Sequence, residues 1–156
     1  MSDEIKKGLL GIVVDETTIS QVVPELSALT YRGYTVQELC DKCDFEEVAY
    51  LVLNGELPNK NQLRKFIKQE RSERKLSKQI LNDIKKMPRN AHPMDVIRTC
   101  VSLMALEDKD TKDNSPKANM RKAMRIFSKT PTAVAAYFRA RKGKSIIAPS
   151  KNLSFS

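Results

Sequence analysis

Tryptophan is absent from this chain, histidine occurs once, and glycine occurs only five times in 156 residues. So little glycine leaves few positions for the left-handed turns that join many short strands, which excludes a turn-rich all-β fold and favours helices. A single histidine excludes a centre built from several imidazoles. No apolar run approaches the roughly 20 residues that cross a bilayer. The opening Met1-Ser2-Asp3-Glu4-Ile5-Lys6-Lys7 also lacks the apolar core of a signal peptide. The chain therefore reads as cytoplasmic, with no membrane partner.

Cysteine is scarce too. Three thiols, an odd number, make no disulfide framework in a chain without an export signal. Cys40-Asp41-Lys42-Cys43 is formally a C-x-x-C pair, but a structural zinc needs four ligands and only distant Cys100 and His92 remain. A redox pair of thioredoxin type would follow a strand and open a helix, which lowers the thiol pKa. This pair closes a short helix instead. It reads as two semi-buried thiols on one helix face, and no metal is expected.

What is present is charge and helical pattern. Hydrophobic residues make up 40% and charged ones 30%, enough for one domain with a core. The net charge of +9 raises the question of nucleic acid. Between Lys60 and Lys78, however, Glu70 and Glu73 alternate with the bases, and Leu63, Phe66 and Ile67 form a stripe between them. That is the pattern of a solvated amphipathic face. Nucleic-acid binding is not the expected role; attraction of a small anionic ligand to one side stays open.

The pattern divides at Tyr34. Gly11–Thr17 and Leu29–Arg32 are β-branched or aromatic runs broken by Ser, Pro24 and Gly33, so residues 1–34 read as a strand segment with two or three short antiparallel strands. Residues 35–156 read as helical. Thr35 with Glu38, Asp44 with Glu47 and Asn59 with Gln62 have the spacing of reciprocal N-terminal caps. Phe45, Val48, Ala49, Val52 and Leu53 predict a deeply buried helix ended by Gly55. Ser77 and Pro93 open two more helices, the second over 93–107. Pro116 begins a further pattern over 116–143, either one helix kinked at Pro131 or two. The tail carries Ile146, Ile147, Leu153 and Phe155, which need a surface to pack on.

Three blocks carry a family resemblance: Leu29-Thr30-Tyr31-Arg32-Gly33-Tyr34, Phe45 to Pro58, and Ala91-His92-Pro93-Met94-Asp95-Val96-Ile97-Arg98-Thr99. Lys129-Thr130-Pro131 and Leu153-Ser154-Phe155-Ser156 extend it. In order and spacing the chain resembles the N-terminal portion of the large domain of citrate synthases and 2-methylcitrate synthases. The resemblance implies a mainly α fold, with the C-terminal part of that domain and the small domain lying outside these residues. It implies condensation of acetyl-CoA, as substrate rather than cofactor, with oxaloacetate to give citrate and CoA; propionyl-CoA is the alternative acyl donor.

Abstracting a proton beside a thioester requires a placed carboxylate and a donor to the developing enolate. The family takes those groups from central and C-terminal segments, so no catalytic residue is expected here and the chain by itself is expected to be inactive. His92 and Arg32 are expected to be structural, the latter in an ion pair. Lys7 stands where some members place an Arg against a CoA phosphate, and a second basic CoA contact falls near Lys112. Lys keeps the charge and loses the bidentate geometry. The resemblance also implies a homodimer through the helices over 93–107 and 116–143. The reading of another class is a non-catalytic basic helical binding module.

Overall fold

Side-chain caps set most of the element boundaries. The structure is a computed structural model that describes residues 7–9 and 11–155; Leu10 of the Gly8–Gly11 block and Ser156 lie outside them. Among the described residues the order is β1 (Ser20–Val23), β2 (Ala28–Tyr31), β3 (Tyr34–Thr35), α1 (Val36–Lys42), α2 (Phe45–Asn54), α3 (Lys60–Glu73), α4 (Lys78–Lys86), α5 (Pro93–Glu107) and α6 (Pro116–Arg141). The mainly helical expectation holds. The chain divides into two compact units, residues 1–57 and 58–156.

In the first unit the strands form one antiparallel sheet in the order β1-β2-β3. Ser20 pairs with Tyr31 and Val23 with Ala28. Tyr31 pairs with Tyr34 across the two-residue turn Arg32-Gly33. Both turn residues are left-handed, at φ 50 and 87, as the twist-matched hairpin turn demands. Gly33 adopts this at no steric cost. Arg32 is strained there and is held by three bonds: its amide to Ile19 O at 2.8 Å, Nη1 to Thr18 Oγ1 at 2.6 Å and Nη2 to Val52 O at 3.1 Å. The expected ion pair is therefore replaced by bonds to a hydroxyl and two carbonyls.

The Gly11–Thr17 run is not a strand. Val13 and Val14 stay 83% and 74% exposed, and without a partner ladder β-branched residues alone do not make one. The Thr35 cap of α1 is present, with the Glu38 amide donating to Thr35 Oγ1 at 3.3 Å. The Asp44 amide donates to Glu47 Oε2 at 2.8 Å at the start of α2. Gly55 ends α2 in the left-handed region, its amide on Leu51 O. The deep burial expected of α2 is only partial: Leu51 and Glu46 are buried, whereas Phe45 is 48% exposed.

In the second unit Leu76, just ahead of α4, packs with Ile80, Ile84, Val96, Cys100, Met104, Ala133, Ala136 and Tyr137 of α4, α5 and α6 in one core. The helical members are the periodic apolar positions of each helix. The Tyr137 hydroxyl reaches Pro88 O at 2.8 Å and Ala91 O at 3.1 Å, fixing the connection that leads into α5. α6 runs unbroken through Pro131. Proline there removes the bond to the Phe127 carbonyl, and one residue earlier the Thr130 hydroxyl donates to Ile126 O at 2.6 Å. Gly143, at φ 68, follows the last turn.

The C-terminal segment returns across α3 and α6. Phe155 stacks on Phe127 with centroids 4.4 Å apart, and Phe127 meets Phe66 of α3 at 6.3 Å. Beneath the segment lies the ion pair Glu70–Arg74, with Glu70 fully buried. Arg74 donates from Nε at 2.7 Å and from Nη2 at 2.7 Å to the carboxylate. Its Nη1 bonds to Ser150 O at 3.0 Å and Leu153 O at 3.1 Å.

Removing one partner of a buried pair strands the other charge. Arg74→Ala should therefore lower the unfolding free energy by about 3–5 kcal/mol, measured by urea denaturation, and should open residues 148–155 to proteolysis. A loss of under about 1 kcal/mol, the size of an exposed pair, would show that the pair anchors nothing.

Candidate functional site

Lys7 begins a short 3-10 turn, Lys7–Leu9, in the first unit. Leu9 and Gly11 take left-handed backbone there, and the Ile12 amide closes the turn on Leu9 O at 3.0 Å. Lys112 belongs to the second unit, exposed on the loop between α5 and α6.

The Lys112 loop is held by a carboxylate–guanidinium clamp that the sequence reading missed. Arg125 of α6 takes both oxygens of Asp108, each at 2.8 Å, and Asp110 Oδ2 at 2.6 Å. Arg121, one turn earlier, takes Asp110 at 2.8 and 3.0 Å. Thr111 donates back to Ala105 O, and Lys122 Nζ reaches Asp113 O at 2.7 Å. The signal was present as Asp-x-Asp in a loop before basic residues at i, i+1 and i+4 of a helix, but nothing local shows that the two face each other.

Beside the clamp a cavity of about 110 Å³ has an apolar floor of Val101, Met104, Ala105 and Ile126. Lys122, Arg125 and Lys129 stand at its rim. Asp108, paired with Arg125, and Thr111 also line it, so the cations not taken by a carboxylate there are Lys122 and Lys129, two helical turns apart on one face. The arrangement can hold an anionic group against an apolar body. Its carboxylate, Asp108, is held by Arg125, and its hydroxyl, Thr111, donates to the Ala105 and Asp108 carbonyls, so both are engaged in holding the loop.

Electrostatics follow the bonds. The Arg121 fork, then Arg125, holds the Asp110 carboxyl well below the usual carboxylate range. Burial pushes Asp108 up, but the bonds from Arg125 and from the Asp110 amide outweigh it and leave the carboxyl lowered. Burial alone would depress Arg125, yet the two carboxylates keep it raised.

The other singled-out residues take local places in the fold. His92 caps α5, its Nδ1 accepting from the Met94 amide at 3.3 Å. Cys43 ends α1 as its C-cap in extended backbone. Cys40 is exposed, so the pair does not form the semi-buried face expected of it. Burial, with Glu47 and Asp44 nearby, pushes the Cys43 thiol up, away from reactive thiolate. Among the described residues no three His, Cys, Asp or Glu side chains converge as a metal would need. No described helix is long and apolar enough to cross a membrane.

A carboxyl whose folded pKa lies below its unfolded value of roughly 3.9 binds fewer protons folded than unfolded in that window. Its stabilisation is complete above the unfolded pKa and drains as pH falls toward the folded one. Asp110→Asn should therefore lower stability at neutral pH and flatten its decline below about pH 4. Urea midpoints over a pH series read this. Parallel acid limbs for the two proteins would show that the clamp carries no pH-dependent stability.

Known proteins resemble the chain over nearly its whole length. The family model described as citrate synthase, C-terminal domain, matches residues 8–156. A 2-methylcitrate synthase of Mycobacterium tuberculosis is 47% identical over 153 residues, 98% of this chain and 38% of that protein. A citrate synthase of Mycolicibacterium smegmatis is 45% identical over 97% of this chain and 40% of its own length. The crystal structure of citrate synthase from Thermotoga maritima superposes with a TM-score of 0.82 at 34% identity, covering 97% of this chain and 39% of that one. The chain thus spans about two-fifths of the length of these relatives. By this match of sequence and fold, the chain belongs to the citrate synthase family.

Proposed function

We propose that this chain is part of a citrate synthase-type acyltransferase, working in the cytoplasm, that condenses acetyl-CoA with oxaloacetate and releases citrate and CoA. The observation that carries the reading is the match to citrate synthase and 2-methylcitrate synthase relatives across residues 8–156. The 47% relative is a 2-methylcitrate synthase, which favours propionyl-CoA as the second reading.

In this proposal the chain supplies scaffold, and the groups that move protons come from outside its 156 residues. Its one histidine is already committed to capping α5. Lys7 and Lys112 are the proposed contacts to CoA phosphates. The clamp that holds the Lys112 loop would keep that charge in place, which matters because lysine lacks the fork that orients itself on phosphate.

The proposed partner is a second copy, met through α5 and α6. Met94 and Leu106 of α5 and Ile126, Val134 and Phe138 of α6 are large apolar side chains left exposed. Ile126, Val134 and Phe138 lie in one row at multiples of four residues, the geometry of a ridge that packs on a neighbouring helix.

Two outcomes are expected. The 156-residue chain should release no CoA from acetyl-CoA or propionyl-CoA with oxaloacetate. The same residues grafted over the matched segment of the M. tuberculosis 2-methylcitrate synthase should restore condensation, with Lys112→Gln raising KM for the acyl-CoA and leaving kcat. Turnover by the isolated chain would place the catalytic groups within it, and a folded but inactive graft would overturn the family activity.

Sedimentation of the isolated chain should show self-association that Phe138→Glu shifts toward monomer. A monomer in both cases would remove α6 as the interface.

A further inference from the structure

A row of cations along α3 has no part in the condensation reading. Lys60, Arg64, Lys68 and Arg71 recur at i, i+4, i+8 and i+11 of the helix. Within the second unit no acidic residue stands three or four positions from Arg64, Lys68 or Arg71. Like charges at this spacing repel. The acids of the helix are not on this face: Glu70 is taken by Arg74 beneath the C-terminal segment, and Glu73 lines a different opening.

The returning C-terminal segment turns the row into a groove. Arg64, Ile67, Lys68, Arg71, Ser72 and Lys151 line a cleft of about 470 Å³, and no carboxylate is among them. Arg71 is under-used within it. Its Nη1 donates to Lys151 O at 3.3 Å. Its Nε is shielded from water and has no acceptor among the described residues. The Nε and Nη2 hydrogens form the edge that grips two phosphate oxygens at once. A shielded donor without an acceptor is costly, so an oxyanion gains at this edge, once the guanidinium turns to the groove, what a solvated lysine would not give.

We propose that this groove binds an oligophosphate, a small ligand carrying two or more linked phosphoryl groups. Four cations (Arg64, Lys68, Arg71 and Lys151) without an acid to balance them match a compact polyanion better than a lone carboxylate. Neighbouring cations on the helix stand about one turn apart, roughly 5.4 Å, so they engage successive phosphoryl groups. Their concave setting suits a small ligand rather than the convex backbone of a duplex.

The test is calorimetric titration of the whole chain with sodium tripolyphosphate at about 0.15 M ionic strength, where diffuse attraction is screened beyond roughly 8 Å. Saturable one-site binding is expected. Lys68→Gln/Arg71→Gln should weaken it by at least about tenfold, a loss of roughly 1.4 kcal/mol. Lys78→Gln/Lys86→Gln, an equal change of net charge at exposed positions of α4 that line no cleft, should leave it unchanged. Arg71→Lys, which keeps charge without the fork, should fall between wild type and the double variant. Circular dichroism reports whether each variant is folded. Absence of saturation, equal weakening by the α4 pair, or tighter binding of a short DNA duplex than of tripolyphosphate would each overturn the proposal.

Discussion

Glu70 is a fully buried carboxylate, and a charge so placed is tolerable only with a partner that satisfies its oxygens. Arg74 does this one helical turn away, and in doing so its remaining nitrogen is aimed at the carbonyls of Ser150 and Leu153. The demand of one buried charge thus determines where a distant segment lies. With the segment held, Phe155 comes onto Phe127, which meets Phe66 on α3. The same return brings Lys151 beside Arg71. The aromatic stack and the basic groove are therefore consequences of one ion pair.

A second constraint works on the loop between α5 and α6. Loops have weak local preferences, and this one is polar from Asp108 to Ser115. Arg121 and Arg125 replace that missing preference with forked bonds to two carboxylates. Arg125 is shared between both, so neither carboxylate can leave without exposing the other to an unbalanced guanidinium. The loop that carries Lys112 is accordingly positioned by α6 rather than by its own sequence. Rigidity there is what would let a lysine serve at a fixed anion contact.

The two units use charge differently. In the first, Arg32 braces a strained hairpin through neutral acceptors. In the second, guanidinium groups meet carboxylates, and further bases line one face of α3, the rim of the α5–α6 cavity and a cleft beside α4 with Lys75, Lys85, Arg89 and Lys144. The bases behind the net charge of +9 thus line several clefts of the second unit, each with apolar residues beside them.

Local chemistry made much of this readable in advance. Helix starts at Thr35, Asn59, Ser77, Pro93 and Pro116 follow from hydroxyl or amide caps and from proline at a first turn, all decided within four residues. The core of α4, α5 and α6 follows from apolar periodicity, and His92 as a cap from its place before Pro93. What the sequence by itself could not determine depended on residues far apart in the chain. Gly11–Thr17 has strand composition but no ladder to join, whereas Ser20–Val23 has one. Arg32 looked like half of an ion pair until the fold brought a carbonyl and a hydroxyl to it. Arg74 with the carbonyls of Ser150 and Leu153, and Asp110 with Arg121, became partners only when the helices packed. Short-range hydrogen bonding is written in neighbouring residues, while the choice among many possible partners for a buried charge is made by tertiary packing, because only there is water excluded and an unmatched charge becomes costly.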